Sequence, residues 1–95
     1  MVEKAVLGVV QMSIVNVVFF GALKDSIGLP SAKCEVQSVL TVAQLKQLLA
    51  DQLSAPQLLE PNIKSSIDFE FARDTDEIEP TAVQEVAFFP PVTGG

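Results

Sequence analysis

The chain has 95 residues, 48% of them hydrophobic and 19% charged, so it can form one domain with a modest core and has no compositional signature of disorder. Twelve acidic against six basic residues give a net charge of -6, which disfavours nucleic acid as a partner because phosphate contacts depend on Lys and Arg. The chain has no histidine and a single cysteine, Cys34, which excludes internal disulfides, Cys/His zinc sites and His-based acid–base catalysis. We expect Cys34 to be a small buried residue, and we expect no bound metal.

The N-terminal stretch from Ala5 to Leu23 is apolar enough to raise the question of a membrane segment. Gln11, Ser13 and Asn16 interrupt it, and its second half is rich in β-branched residues, as strands are. It also lacks a strongly basic start and a well-placed cleavage site. We therefore expect a cytoplasmic protein that does not interact with membranes.

Residues 14–20 form a nearly continuous apolar run that ends at Gly21, which predicts a strand covered on both faces. Residues 23–27 predict a short helical turn closed by Gly28. Residues 33–39 alternate apolar and polar side chains and predict a second strand.

Residues 42–53 predict the main helix. Thr41 and Gln44 have the spacing of a capping box, in which each side chain bonds a backbone amide of the other residue. The predicted core stripe is apolar and has helical spacing: Val42, Leu45, Leu48, Leu49 and Leu53. The predicted solvent faces carry Gln44, Lys46, Gln47 and Asp51.

The second half of the chain predicts two more strands. Ile67 to Phe71 alternates strictly, which predicts one half-exposed strand with its three large apolar side chains on one face. Residues 73–80 are rich in acids and predict a solvated loop. Residues 86–89 predict the last strand, which Pro90 and Pro91 end. The order strand, strand, helix, strand, strand favours an α+β fold with one main helix across a sheet.

The C-terminus offers the chemistry that the rest of the chain lacks. Asp68 and Glu70 are best explained as a solvated strand face, and no glycine-rich phosphate loop occurs. Gly94 and Gly95 have no Cβ, so an extended tail could enter a channel too narrow for side chains, with the terminal carboxylate as its one reactive group. A terminal Gly-Gly pair on its own is also consistent with simple fraying.

Residues 85–95 have the sequence Glu-Val-Ala-Phe-Phe-Pro-Pro-Val-Thr-Gly-Gly, which closely resembles the C-terminal signature of the small subunit of molybdopterin synthase, a ubiquitin-like sulfur carrier. Residues 17–23, followed by Gly28, resemble the first strand and turn of that family. The resemblance covers residues 12–95 and implies a β-grasp fold, a mixed sheet with one main helix packed across it. It implies an N-terminal extension of unknown role at 1–11, a β-grasp domain at 12–89 and a flexible tail at 90–95. The segment 71–84 departs from the family by lacking its usual turn.

The resemblance also implies a reaction cycle centred on Gly95. An E1-like adenylyltransferase would convert its carboxylate into an acyl-adenylate, and a persulfide would convert that into a thiocarboxylate. The large synthase subunit, expected to form a heterotetramer with this chain, would use that sulfur to turn cyclic pyranopterin monophosphate into the molybdopterin dithiolene. AMP or sulfur would be attached to Gly95 only transiently, no cofactor would be bound stably, and the chain would not be catalytic alone.

Three alternatives remain open from the sequence. The first is a sulfur carrier of the thiamine pathway, which shares the fold and the terminal Gly-Gly. The second is a ubiquitin-like modifier that joins Gly95 to lysines of other proteins. The third is a passive interaction module whose tail has no chemistry.

Alternation along the first and last strands predicts an interface. The side chains expected to point inward are Val15, Val17, Phe19, Val86 and Phe88. Those expected to point outward are Val18, Phe20, Ala87 and Phe89. We expect Phe20 and Phe89 to form an exposed patch that anchors the large subunit, unless residues 1–11 cover it. Gly95 and Gly94 are the residues expected to carry the chemistry, and the tail residues expected to bind partners are Pro90, Pro91, Val92 and Thr93.

Overall fold

The computed structural model describes residues 12–90. Within them the elements follow in this order: β1 (Ser13–Phe19), α1 (Gly21–Ile27), β2 (Ser31–Val36), β3 (Leu40–Thr41), α2 (Val42–Leu53), a 3₁₀ turn (Pro56–Leu59), β4 (Lys64–Ile67), β5 (Glu70–Ala72), β6 (Glu77–Ile78) and β7 (Val86–Phe89).

The strands of this part of the chain form a five-stranded sheet in the order β2-β1-β7-β4-β5 and a two-stranded sheet of β3 and β6. β1 and β7 pair in parallel, whereas the other ladders are antiparallel, so the larger sheet is mixed. One face of this sheet carries the core, to which α2 contributes its apolar side. This is the α+β, β-grasp arrangement that the resemblance implies, and the predicted fold class is confirmed.

Helix α2 has the bounds predicted for it, and its capping box is present. The amide of Gln44 donates to Thr41 Oγ1 at 3.1 Å, and the amide of Thr41 donates to Gln44 Oε1 at 2.8 Å. Two details of its predicted faces are wrong. Leu48 is 44% exposed, because the buried stripe is centred on the other leucines and leaves it at the edge. Lys46 is only 3% exposed, because its long side chain extends along the core to polar partners beyond it.

The strand predicted for residues 33–39 corresponds to β2, which begins two residues earlier, at Ser31, and ends three residues earlier, at Val36. β2 stops at Val36, which is the partner of Ser13 at the start of β1, so the ladder with β1 has no further pairs. The chain then turns and forms the two-residue strand β3 before entering α2. The turn predicted at residues 23–27 is the last part of α1, which begins at Gly21 and ends at Ile27. Gly28 follows the helix and has a left-handed backbone conformation.

The single strand predicted for residues 67–71 is wrong. β4 and β5 form a hairpin in which Ile67 pairs with Glu70. Asp68 and Phe69 connect them with positive φ angles of 48° and 72°, a backbone conformation that ends a strand. Phe69 and Phe71 are 76% and 84% exposed, so neither adds to the core.

The predicted acidic loop at residues 73–80 also contains structure that the sequence did not indicate. Ile78 is fully buried, and β6 pairs with β3 just before α2. The carbonyls of Asp76 and Asp74 accept the amides of Val42 and Ala43, each at 3.0 Å. The segment therefore satisfies backbone donors at the start of α2 that have no partner within the helix.

Candidate functional site: the tail exit and the outer sheet face

The strand that leads into the tail is the central one of the larger sheet. β7 lies between β1 and β4, is bonded to both, and ends at Phe89. Pro90 follows it directly. The remaining predicted tail residues, Pro91, Val92, Thr93, Gly94 and Gly95, lie outside the described part of the chain.

Gly21 shapes the exit of the tail. Its φ is +60°, a conformation that a side chain disfavours, and a Cβ built on it would lie 3.3 Å from Cγ of Pro90. Gly21 therefore lets the first residue after β7 pass close to the backbone where α1 begins. The sequence indicates Gly21 only as the end of a strand, because its contact with Pro90 joins distant parts of the chain.

The predicted alternation of side chains along β1 and β7 is confirmed for the inward set. Val15, Val17, Phe19, Val86 and Phe88 are at most 1% exposed, and the rings of Phe19 and Phe88 are stacked in the core with centroids 6.5 Å apart.

The outward set is confirmed in part. Phe20 is 49% exposed and Phe89 is half-buried. Ala87 was predicted to be exposed, and it is only 3% exposed. It pairs with Val18 on one side and Ser66 on the other, and its methyl group is too short to rise above those neighbours.

Phe71 is the outer-face residue that sequence reasoning misplaced. It pairs with Ser66, which also pairs with Ala87, so Phe71 continues the same row across the sheet. Its ring meets that of Phe89 edge to face, with centroids 5.8 Å apart. The small side chain of Ser66 leaves room for the two rings to approach each other across β4.

Phe20 completes this surface. Phe19 pairs with Phe88 in parallel, and the amide of Phe20 donates to the Phe88 carbonyl at 3.1 Å, which places Phe20 beside Phe89. We call Phe20, Phe71 and Phe89 the aromatic face. It is an apolar surface next to the point where the tail leaves the sheet.

The charge around the aromatic face is uneven. On the β5 side a concavity of about 510 Å³ carries the carboxylates of Asp68, Glu70, Asp76 and Glu77. Lys64 pairs with Phe89 and supplies a positive charge beside the tail exit. Glu70 pairs with Ile67, on the sheet face opposite Phe71, so the acidic concavity lies at the β5 edge of the sheet.

The described residues offer little other chemistry. In residues 12–90 no group of three His, Cys, Asp or Glu side chains is arranged to hold a metal ion. Cys34 is 2% exposed, as predicted, and burial, with a smaller contribution from Glu35, raises the pKa of its thiol above 9.0. No helix in the same range is long and apolar enough to cross a membrane.

Comparison with known proteins identifies the family. The model of the ThiS family matches residues 17–95, which include the paired residues of the parallel strands β1 and β7, and the tail. The chain belongs to this family of ubiquitin-like sulfur carriers.

Solved structures share the fold at low sequence identity. Small archaeal modifier protein 1 from Haloferax volcanii is 23% identical, with a TM-score of 0.71, over 86% of this chain and 99% of that one. The protein of the same name from Methanosarcina acetivorans is 21% identical, with a TM-score of 0.62, over 90% of this chain and 99% of that one. A Pyrococcus furiosus protein provisionally named molybdopterin converting factor subunit 1 is 16% identical, with a TM-score of 0.68, over 84% of this chain and 99% of that one.

Proposed function

We propose that the chain is the sulfur-donating subunit of a molybdopterin synthase and that it works in the cytoplasm. The observation that carries the proposal is that the central strand β7 ends beside the aromatic face, at the start of the short segment of sequence that leads to Gly94 and Gly95. The sequence of residues 85–95 favours this pathway over the other members of the family. The match of the family model and the fold of the Pyrococcus furiosus protein are consistent with it.

The proposed chemistry begins at the Gly95 carboxylate, which is a poor electrophile. An E1-like adenylyltransferase attaches AMP from ATP to one carboxylate oxygen and releases pyrophosphate. A persulfide of the sulfur donor then attacks the carbonyl carbon and expels AMP, which leaves an acyl disulfide. A thiol of the donor cleaves the sulfur–sulfur bond, is itself oxidised to a disulfide, and releases the Gly95 thiocarboxylate.

The large synthase subunit supplies the catalytic groups of the second half of the cycle. The thiocarboxylate sulfur forms the new carbon–sulfur bond on the cyclic pyranopterin monophosphate, and water returns Gly95 to a carboxylate. Because Gly94 and Gly95 carry no side chains, the tail fits a narrow channel that leads to those groups. The domain delivers one sulfur at each visit and is then recharged.

The aromatic face is the proposed anchor for the large subunit. Exposed aromatic side chains grouped on one surface are a common feature of protein interfaces. Phe20 and Phe89 flank the point from which the tail departs, and Phe71 widens the contact through its edge-to-face packing on Phe89. Pro90, Pro91, Val92 and Thr93 would then line the entrance of the channel.

A ubiquitin-like protein modifier is the second candidate function, because two of the proteins that share the fold are named small archaeal modifiers. It uses the same activated terminus but transfers the Gly95 acyl group to a lysine amine. The thiamine-pathway sulfur carrier would make the same thiocarboxylate for a different acceptor.

Mass spectrometry of the full chain purified from its native host distinguishes these functions. A thiocarboxylate increases the mass by the difference between a sulfur and an oxygen atom, whereas a modifier gives isopeptide-linked adducts. Reconstitution with the large subunit from the same genome then identifies the pathway, since dithiolene should form from the cyclic pterin.

The matched controls for this reconstitution are deletion of Gly95 and Gly94→Leu, each of which should abolish sulfur transfer. Both should leave the free energy of unfolding within about 0.5 kcal/mol of the natural chain, as is usual for exposed positions. Dithiolene formation by the chain that lacks Gly95 would contradict the proposed function.

A further inference from the structure

The turn between β4 and β5 places a phenylalanine where the backbone disfavours one. A two-residue hairpin turn with positive φ at both central positions is normally built from Asn or Asp followed by Gly. Here the two residues are Asp68 and Phe69, with φ angles of 48° and 72°. Large side chains are uncommon at such angles, because their Cβ crowds the backbone. Phe69 is also 76% exposed, so burial of its ring does little to offset that strain.

The first residue of the turn has a clear structural role, whereas the side chain of the second is largely exposed. Asp68 Oδ1 accepts the amides of Gln84 and Glu85 at 2.7 and 2.9 Å, and the Asp68 amide donates to the Glu85 carbonyl at 2.8 Å. These bonds tie the turn to the segment that enters β7. The tip of the hairpin is therefore held in place, and Phe69 lies on a backbone segment fixed by these hydrogen bonds.

Phe69 lies close enough to the aromatic face to belong to the same interface. Ile67, the last residue of β4, pairs with Val86, three residues before Phe89. Three residues of strand span about 10 Å. A standard interface covers about 800 Å² on each partner, equivalent to a disc of roughly 16 Å radius. A partner centred on Phe89 and Phe71 therefore reaches the hairpin tip.

We propose that Phe69 is a specificity-determining anchor that inserts into an apolar recess of the protein that receives the Gly-Gly tail. This inference rests on the proposed function, which supplies that partner. The recess is expected to have a basic rim, because Asp68 and Glu70 flank Phe69 in the chain and line an acidic concavity together with Asp76 and Glu77. The domain keeps a strained residue at the tip because its ring is used in the complex, which is where such strain is commonly found.

The test compares Phe69→Gly with Phe69→Ala in the full chain. Phe69→Gly removes both the ring and the strain, so the midpoint of thermal unfolding should rise by roughly 2–6 °C. Phe69→Ala removes the ring but keeps the Cβ, so its midpoint should stay within about 2 °C of the natural chain. Calorimetry with the large synthase subunit from the same genome should show binding weakened at least about fivefold for both variants.

Phe89→Ala is the control that separates this inference from the proposed function. If Phe89→Ala weakens binding while both Phe69 variants bind like the natural chain, the anchor role of Phe69 is wrong and the carrier function stands. A fall in the unfolding midpoint of Phe69→Gly would mean that the ring stabilises the free domain, and it would also overturn the inference. If the natural chain forms thiocarboxylate but does not bind the large subunit, the assignment of that partner is wrong in both proposals.

Discussion

The ammonium group of Lys46 lies 2.7 Å from Oδ1 of Asp74 and donates a second hydrogen bond to the carbonyl of Ile63 at 3.0 Å. The side chain of Lys46 is 4% exposed, whereas that of Asp74 is 54% exposed. Lys46 therefore connects α2 to Ile63, just before β4, and to Asp74, in the segment before β6. A charge is thus buried at the meeting point of three parts of the chain.

Replacing Asp74 should lower the free energy of unfolding more than replacing the buried Lys46. Asp74→Ala leaves a buried ammonium without its counter-ion, and we expect a loss of roughly 3 kcal/mol in the free energy of unfolding. Lys46→Met keeps the packing of the stem and leaves one carbonyl unsatisfied, at a cost of about 1–2 kcal/mol. Urea unfolding measures both, with Glu70→Ala at an exposed position as control. An equal or larger loss for Lys46→Met would contradict this explanation.

Gly21 and Gly28 form a matched pair of substitutions. Both have positive φ, so Ala should cost about 1–2 kcal/mol of stability at either position. A Cβ at Gly28 meets nothing within 4 Å, whereas at Gly21 it crowds Pro90. We therefore expect Gly21→Ala to slow adenylation of the tail as well, in an assay with the E1-like enzyme, whereas Gly28→Ala should leave that rate unchanged. Equal rates for the two variants would show that the contact with Pro90 does not direct the tail.

The aromatic face should bind a partner through both members of its edge-to-face pair. Phe89→Ala and Phe71→Ala should each weaken the complex with the large subunit by at least about 1 kcal/mol. Because the rings touch, the double variant should lose less than the sum of the two single losses. Leu48→Ala removes an apolar side chain that is 44% exposed on α2, away from the aromatic face, and should bind normally. If Leu48→Ala weakens the complex as much as the phenylalanine variants do, the aromatic face is not the interface with the large subunit.

Cys34 should make the domain less stable at alkaline pH. Burial raises the pKa of its thiol in the folded state above the unfolded value of 9.0, so the folded protein holds the proton more tightly. The resulting stability is fully present below pH 9 and is lost as the pH rises through the folded pKa. Unfolding of the natural chain and of Cys34→Ala at pH 7 and above pH 9 should show a steeper decline for the natural chain. Parallel declines would mean that the thiol does not contribute.

The elements predicted correctly are those that local signals specify. The capping box at Thr41 and the leucines of α2 depend on spacing within a few residues, and the apolar run at residues 14–20 correctly indicated a strand. The expectation that this strand is covered on both faces is wrong, because Ile14 is 52% exposed on the outer face, which no helix within residues 12–90 covers. The hairpin at 67–71 was missed because the residues themselves alternate apolar and acidic as in a single strand, and the Asn-Gly or Asp-Gly signal of a two-residue turn is absent there.

The errors elsewhere come from contacts between distant parts of the sequence. Lys46 is polar, and its helical position does not reveal that Asp74 lies beside it, 28 residues later. A two-residue strand such as β6 has too few residues for a recognisable period, so burial of Ile78 follows only from its pairing with Leu40. Phe71 joins the aromatic face through the same kind of long-range pairing. Sequence patterns therefore indicated Phe20 and Phe89, two of the three residues of the aromatic face, but not the hairpin that supplies Phe71.

The central position of β7 also determines how the domain responds to mechanical force. A partner that draws the tail into a channel pulls on Phe89 along the direction of the strand. β7 is bonded to β1 on one side and to β4 on the other, so this pull loads both ladders in shear, and their hydrogen bonds must break together. A peripheral strand pulled sideways would instead open one bond at a time. Under the proposed function, this arrangement would keep the domain rigid while its terminus enters and leaves the partner's channel.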